Sequence, residues 1–134
     1  YEGDWKCGKR SGFGTYSVQD SNTVYSGYWD NDKKHGYGTH FYSANEYYEG
    51  YWDNDKKHGY GTHFYSANEY YEGEWKCGKR CGWGRMYFAN RDIYEGEWSE
   101  DKHSGQGMLC LANENRYEGS WKDGKKDGPG KFYY

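Results

Sequence analysis

A Tyr-x-Gly-x-Trp motif returns through the whole chain at an almost fixed interval, and no other feature limits the fold as tightly. The motif begins at Tyr1, Tyr25, Tyr48, Tyr71, Tyr94 and Tyr117, a period of 23 residues with one extra residue in the first unit. Its tryptophans are Trp5, Trp29, Trp52, Trp75, Trp98 and Trp121. A Gly-x-Gly follows each, at Gly12/Gly14, Gly36/Gly38, Gly59/Gly61, Gly82/Gly84, Gly105/Gly107 and Gly128/Gly130. The units are therefore residues 1–24, 25–47, 48–70, 71–93, 94–116 and 117–134 of one repeat domain. Residues 28–50 and 51–73 are identical, which implies a very recent duplication or an assembled sequence.

The alternation in Tyr-x-Gly-x-Trp has the period of a β-strand. A polar stretch such as Asp30 through His35 reads as a turn. Gly-x-Gly-Thr and the aromatics after it read as the returning strand. Each unit is then a β-hairpin, and six of them give an all-β, elongated, single-layer antiparallel sheet. If Trp29 lies opposite Gly36, then Tyr25, Gly27 and Trp29 share a face with Gly38, His40 and Tyr42. Composition agrees with an unusual core. Aromatics make up 22% and charged residues 29% of the chain, while the aliphatics are only Val18, Val24, Ile93, Leu109 and Leu111. Burial has to come from Tyr and Trp, which remove a large area from water at small entropic cost.

The segment Tyr71–Trp75 with Gly82/Gly84 resembles the MORN (membrane occupation and recognition nexus) repeat, and the resemblance covers the whole chain. Gly82–Phe88, Asp92–Gly96 and Asn115–Gly119 are similar to an animal member of that family. The resemblance implies a scaffold without catalysis, often dimeric, in cilia, sperm flagella or the cytoskeleton, and for some members binding to acidic phospholipids. Cytoplasmic residence and a protein partner within a large ciliary assembly are the corresponding expectations. The chain starts inside a repeat and its last unit stops partway, so a segment of a longer protein is also expected.

Partner contacts are expected from the aromatics outside the consensus, because the consensus rings are needed to hold the sheet. These are Phe13, Tyr37, Tyr60 and Trp83 after the first glycine of each pair, with Phe41, Phe64 and Tyr87 further along. Fourteen of the 18 Lys and Arg residues fall in the turns, which predicts one basic edge. Glu2, Glu49, Glu72, Glu95 and Glu118 follow the tyrosines and predict an acidic face. A solvated surface that keeps single sheets apart explains this sorting. An anionic lipid surface is the second reading, weakened by acids in the same turns.

Catalysis, cofactors and metals are not expected. His35 and His58 recur at the repeat distance, roughly 9.6 Å for two strand spacings, too far apart to converge on one zinc ion. His40 and His63 are spaced alike. Only Cys77 and Cys81 share a turn, and free thiols are the reading for Cys7, Cys77, Cys81 and Cys110. No P-loop or nucleophile elbow is present. A net charge of −3, with acids beside the rings, argues against nucleic acid as a partner.

Overall fold

Strands form where the alternating motif predicts them. A computed structural model describes residues 1–19 and 21–134. Its strands are β1 (Glu2–Lys6), β2 (Lys9–Ser17), β3 (Val24–Asp30), β4 (Lys33–Phe41), β5 (Tyr47–Asp53) and β6 (Lys56–Ser66), followed by β7 (Glu69–Lys76), β8 (Lys79–Tyr87), β9 (Ile93–Ser99), β10 (Lys102–Cys110), β11 (Arg116–Lys122) and β12 (Lys125–Tyr133). They pair in sequence order as one open antiparallel sheet.

The turns are tighter than the polar stretches suggest. Asp30 pairs with Lys33, so only Asn31 and Asp32 turn the chain. Both have positive φ, 52° and 70°, the geometry of a two-residue type I′ hairpin. Asn-Asp, Cys-Gly, Glu-Asp and Asp-Gly fill these positions in the other units. Lys34 and His35 accordingly belong to β4.

The expected register also needs correcting. Trp29 lies opposite Lys34 within its own hairpin, after a bulge, and opposite Gly12 of the preceding unit. Gly36 correspondingly faces Trp52 of the following unit. Parity holds, so Tyr25, Gly27, Trp29, Gly38 and His40 do share a face. The tryptophan slot is built between hairpins and not inside one.

A single layer has no second layer against which to bury its core. Here the core lies flat on the sheet. Each motif Tyr covers a Gly–Gly pair: a Cβ on Gly38 would fall 2.1 Å from the Tyr25 hydroxyl, and one on Gly61 equally close to that of Tyr48. The hydroxyls of Tyr25 and Tyr48 donate to the carbonyls of Tyr28 and Tyr51, both at 2.9 Å. Tryptophans stand edge-on between successive tyrosines. Trp52 lies 5.7 Å from Tyr25 and 5.0 Å from Tyr48, near 90° to both. Each such contact adds about 0.5–1.5 kcal/mol beyond area burial. The indole N–H of Trp29, Trp52, Trp75, Trp98 and Trp121 donates to the second glycine carbonyl of the preceding unit at 3.1 Å. Trp5, in the first unit, is 59% exposed, against 5% for Trp29.

Two kinds of glycine should respond differently to alanine. Gly61→Ala drives a methyl into the Tyr48 ring and should lower stability by about 3 kcal/mol or more. Gly124 has open space around its missing Cβ and only a positive φ of 82° to lose, so Gly124→Ala should cost about 1 kcal/mol. Urea unfolding midpoints of the two variants compare them directly; equal losses would remove the close-approach explanation.

Candidate binding face

The two faces of the ribbon are chemically unequal. On the ladder face, the Tyr–Trp core is roofed by a second set of side chains. Arg10 lies over the ring of Trp29 at 4.2 Å, Lys34 over Trp52 at 5.0 Å, Lys57 over Trp75 at 4.7 Å and Arg80 over Trp98 at 4.6 Å. Lys126 caps Tyr117 at 4.8 Å. His103 takes the same place in unit five, stacked on Tyr94 at 3.7 Å. Five of the fourteen turn cations are thus held on rings, and the basic edge expected from the sequence is correspondingly thinner. The turn acids are also committed: Asp32, Asp55 and Asp101 accept the backbone N–H of Arg10, Lys34 and Arg80 at 2.9, 2.8 and 2.8 Å, tying each turn to the preceding hairpin.

Burial sets the protonation of this roof. Lys57 is pushed down to about 8, first by loss of water. His40 and His103 fall to about 4, mainly through burial, with nearby Lys34 or Arg80 adding to it. His63 is also lowered by burial and by Lys57, against the opposing pull of Glu46. The His63 Nε2 lies 2.9 Å from the Glu46 carboxylate, while its buried Nδ1 has no partner. A neutral ring donating from Nε2 satisfies both facts.

The open face carries three rows. The row nearest the turns holds Phe13, Tyr28, Tyr37, Tyr51, Tyr60 and Trp83, each 48–58% exposed. Phe13 meets Tyr28, and Tyr37 meets Tyr51, edge to face at 5.5 and 5.6 Å. The far row is a stack: Phe41, Tyr47, Phe64, Tyr70 and Tyr87 follow one another at centroid distances of 4.9, 4.6, 5.2 and 4.3 Å. Between them run Thr39, Glu49, Thr62, Glu72, Arg85 and Glu95. Arg85 donates to Glu95 at 2.6 Å and to the Tyr87 hydroxyl at 3.0 Å.

All seven aromatics singled out from the sequence lie on this face, in these two rows. Sequence reasoning misses Tyr28, Tyr47, Tyr51 and Tyr70. Each sits next to a consensus Tyr or Trp, and the alternation alone is enough to place its ring on the opposite side. Glu49, Glu72, Glu95 and Glu118 form the middle row, as the acidic column anticipates. Cys7, Cys77, Cys81 and Cys110 are free thiols, and burial raises that of Cys81. Among the described residues, no helix is long and apolar enough to cross a membrane.

Fold and faces together define a β-repeat ribbon with one face closed over its own core and the other open. The MORN repeat model matches residues 1–23, 25–45, 48–68, 71–93, 94–116 and 117–134, and the chain belongs to the MORN-repeat family. It is also 86% identical, over 51 residues, to MORN repeat-containing protein 3 of Xenopus laevis, a match covering 34% of this chain and 21% of that protein. MORN repeat-containing protein 3 is also the animal member to which Gly82–Phe88, Asp92–Gly96 and Asn115–Gly119 are similar. The chain matches about a fifth of that relative's length. Repeats of this family commonly engage proteins or membranes.

The depressed histidines give a pH dependence with a definite sign. They are neutral in the fold, so protonation favours the unfolded chain, which binds protons from about pH 6.5 downward. The stability they allow is fully present above pH 6.5 and is lost as pH falls toward 4. The position of His40 and His63 is Met86 and Leu109 in units four and five. A His40→Leu/His63→Met variant should therefore lose less melting temperature between pH 7 and 4.5 than the parent. Parallel profiles in thermal unfolding would exclude the histidines as the cause.

Proposed function

We propose that the chain is a non-catalytic scaffold segment that binds a protein partner through its open face, within a ciliary, flagellar or other cytoskeletal assembly. The observation that carries this reading is the asymmetry of the sheet. The motif rings are consumed in the ladder, whereas a row of half-exposed Phe, Tyr and Trp crosses the first four units of the other face. Contiguous exposed aromatics mark interaction surfaces, and Tyr and Trp dominate interface energetics. The family resemblance supports the scaffold role and the cytoskeletal setting. Acids and histidines spaced at the repeat period form rows and not a convergent pocket, which supports the absence of catalysis.

The row supplies rings that can be removed without touching the core. Trp83→Ala and Tyr60→Ala should each weaken capture of the partner by roughly tenfold or more, while Gln106→Ala, outside the aromatic row, should leave it unchanged. Pull-down on immobilised chain followed by quantitative mass spectrometry reads this, and undiminished capture by both aromatic variants removes the face assignment.

A second reading is a peripheral module on anionic phospholipid. It is favoured by lysines that flank the turns and are not held on rings, such as Lys6, Lys9, Lys33, Lys56, Lys76 and Lys79. Sedimentation with phosphatidylserine vesicles at low salt, reversed by salt, is its expected signature; failure to sediment at low salt removes it.

A further inference from the structure

Each hairpin contains a bulge at which one residue of the first strand faces three of the second. In units four and five that single residue is Glu74 or Glu97, between Gly73 and Trp75 or between Gly96 and Trp98. Its carboxylate crosses the bulge and accepts the backbone N–H that follows the left-handed glycine. Trp83 N donates to Glu74 at 2.7 Å, and Gln106 N donates to Glu97 at 2.6 Å. Unit six confirms the logic by omission: Pro129 has no N–H, and the residue across from it is Ser120. Acid and donor are present together or absent together in these three units.

Units two and three break the pattern. Tyr37 and Tyr60 have the N–H, but the residues across the bulge are Tyr28 and Tyr51. A tyrosine brings no carboxylate to the donor. The glycine geometry differs in step: φ is 77° and 78° at Gly36 and Gly59, against 63° and 59° at Gly82 and Gly105, where the carboxylate is bound. The bulge donors of units two and three thus have no carboxylate across from them, and the rings beside them are exposed, Tyr28 and Tyr37 in one unit, Tyr51 and Tyr60 in the next.

We propose that the Tyr37 and Tyr60 amides form a paired carboxylate-binding site, and that its occupant is a polyproline-type segment of the protein partner bearing Asp or Glu at every third position. The chain's own Glu74 and Glu97 define the ligand chemistry. The spacing defines the conformation. Equivalent donors in adjacent units are two strands apart, roughly 9.6 Å. A polyproline II helix returns to the same side every three residues, about 9.3 Å. An extended β-strand offers about 6.7 or 13 Å on one side and meets one donor only. Aromatic-lined surfaces are also the usual hosts of polyproline segments, and each donor belongs to a bulge flanked by two of the four tyrosines. Lys33 and Lys56 stand on the same face, two strand positions beyond His35 and His58 toward the turn side of each donor. The inference rests on the open face being the partner-binding face and names the chemistry that face reads.

The test uses fluorescein-labelled peptides on the intact chain, followed by anisotropy. A peptide with Glu-Pro-Pro repeats should bind at least tenfold more tightly than the same peptide with Gln for Glu. It should also bind more tightly than peptides with Glu at every second residue or on one side of a helix, and should shift the Tyr37 and Tyr60 amide resonances. Tyr60→Ala and Tyr60→Pro both remove a ring, but only the second removes the donor, as Pro129 does naturally; Tyr60→Pro should bind at least tenfold more weakly than Tyr60→Ala. Should the proline variant unfold, a second pair decides. Tyr51→Glu should close the site with an internal carboxylate, as in unit four, while Tyr51→Ser, which copies Ser120 of unit six, leaves it open. Equal binding of Glu and Gln peptides, preference for another spacing, or equal behaviour within a variant pair overturns the site. Partner capture lost in Tyr60→Ala but insensitive to the donor variants keeps the scaffold reading and overturns this inference alone.

Discussion

Everything else in the ribbon depends on a tyrosine ring lying flat on two glycines. A sheet with one layer cannot bury side chains between layers, so burial has to occur within the height of a ring above the backbone. Gly27 and Gly38, opposed across the hairpin, leave a floor without Cβ atoms. Tyr25 occupies that floor and is 1% exposed. Its hydroxyl satisfies the backbone where the strand bulges. The bulge in turn places the next tryptophan over a neighbouring hairpin, where its N–H finds a carbonyl. Floor, ring, bulge and indole form one causal sequence repeated along the chain, and it explains why so few aliphatic residues suffice.

Much of this is legible in the sequence, because it rests on parity and period. The columns of Tyr, Gly and Trp, the hairpin unit and the single antiparallel layer follow from alternation alone. What parity cannot say is which neighbouring strand a residue faces. It allows Trp29 to be set against Gly36, whereas the equivalent glycine of the preceding unit, Gly12, is the true partner. Polarity misleads in a different way. Lys34 and Lys57 read as turn residues exposed to water, yet their long stems reach back and set ammonium groups over rings. Tyr28 and Tyr51 are hidden by their own neighbours, since Tyr25, Trp29, Tyr48 and Trp52 carry the motif and point to the opposite face.

The division of labour between faces separates what folding fixes from what the surface can vary. Substitutions on the ladder face disturb a continuous packed column, so that face is constrained by folding. The open face carries side chains whose loss leaves the column intact, and it changes character along the ribbon. Phe13, Tyr28, Tyr37, Tyr51 and Tyr60 form an uncharged stretch, whereas Glu74, Glu97 and Gln106 dilute the rings further on. One scaffold thus presents graded chemistry along its length, set by two variable positions per hairpin.

The identity of residues 28–50 and 51–73 has a consequence for how the chain finds its structure. Trp75 meets Gly59 in the native sheet, but Gly36 offers it an identical local sequence. A strand pairing shifted by one whole unit would satisfy the same ring, carbonyl and lysine contacts while looping out the 23 residues between. Closing the longer loop costs only about 0.8 kcal/mol more in entropy than closing the native one, so loop closure discriminates weakly between the two pairings. What selects the native one is the column that the looped-out unit would fail to build. The twin units therefore offer the chain two registers that resemble one another locally, and only the complete column of rings tells them apart.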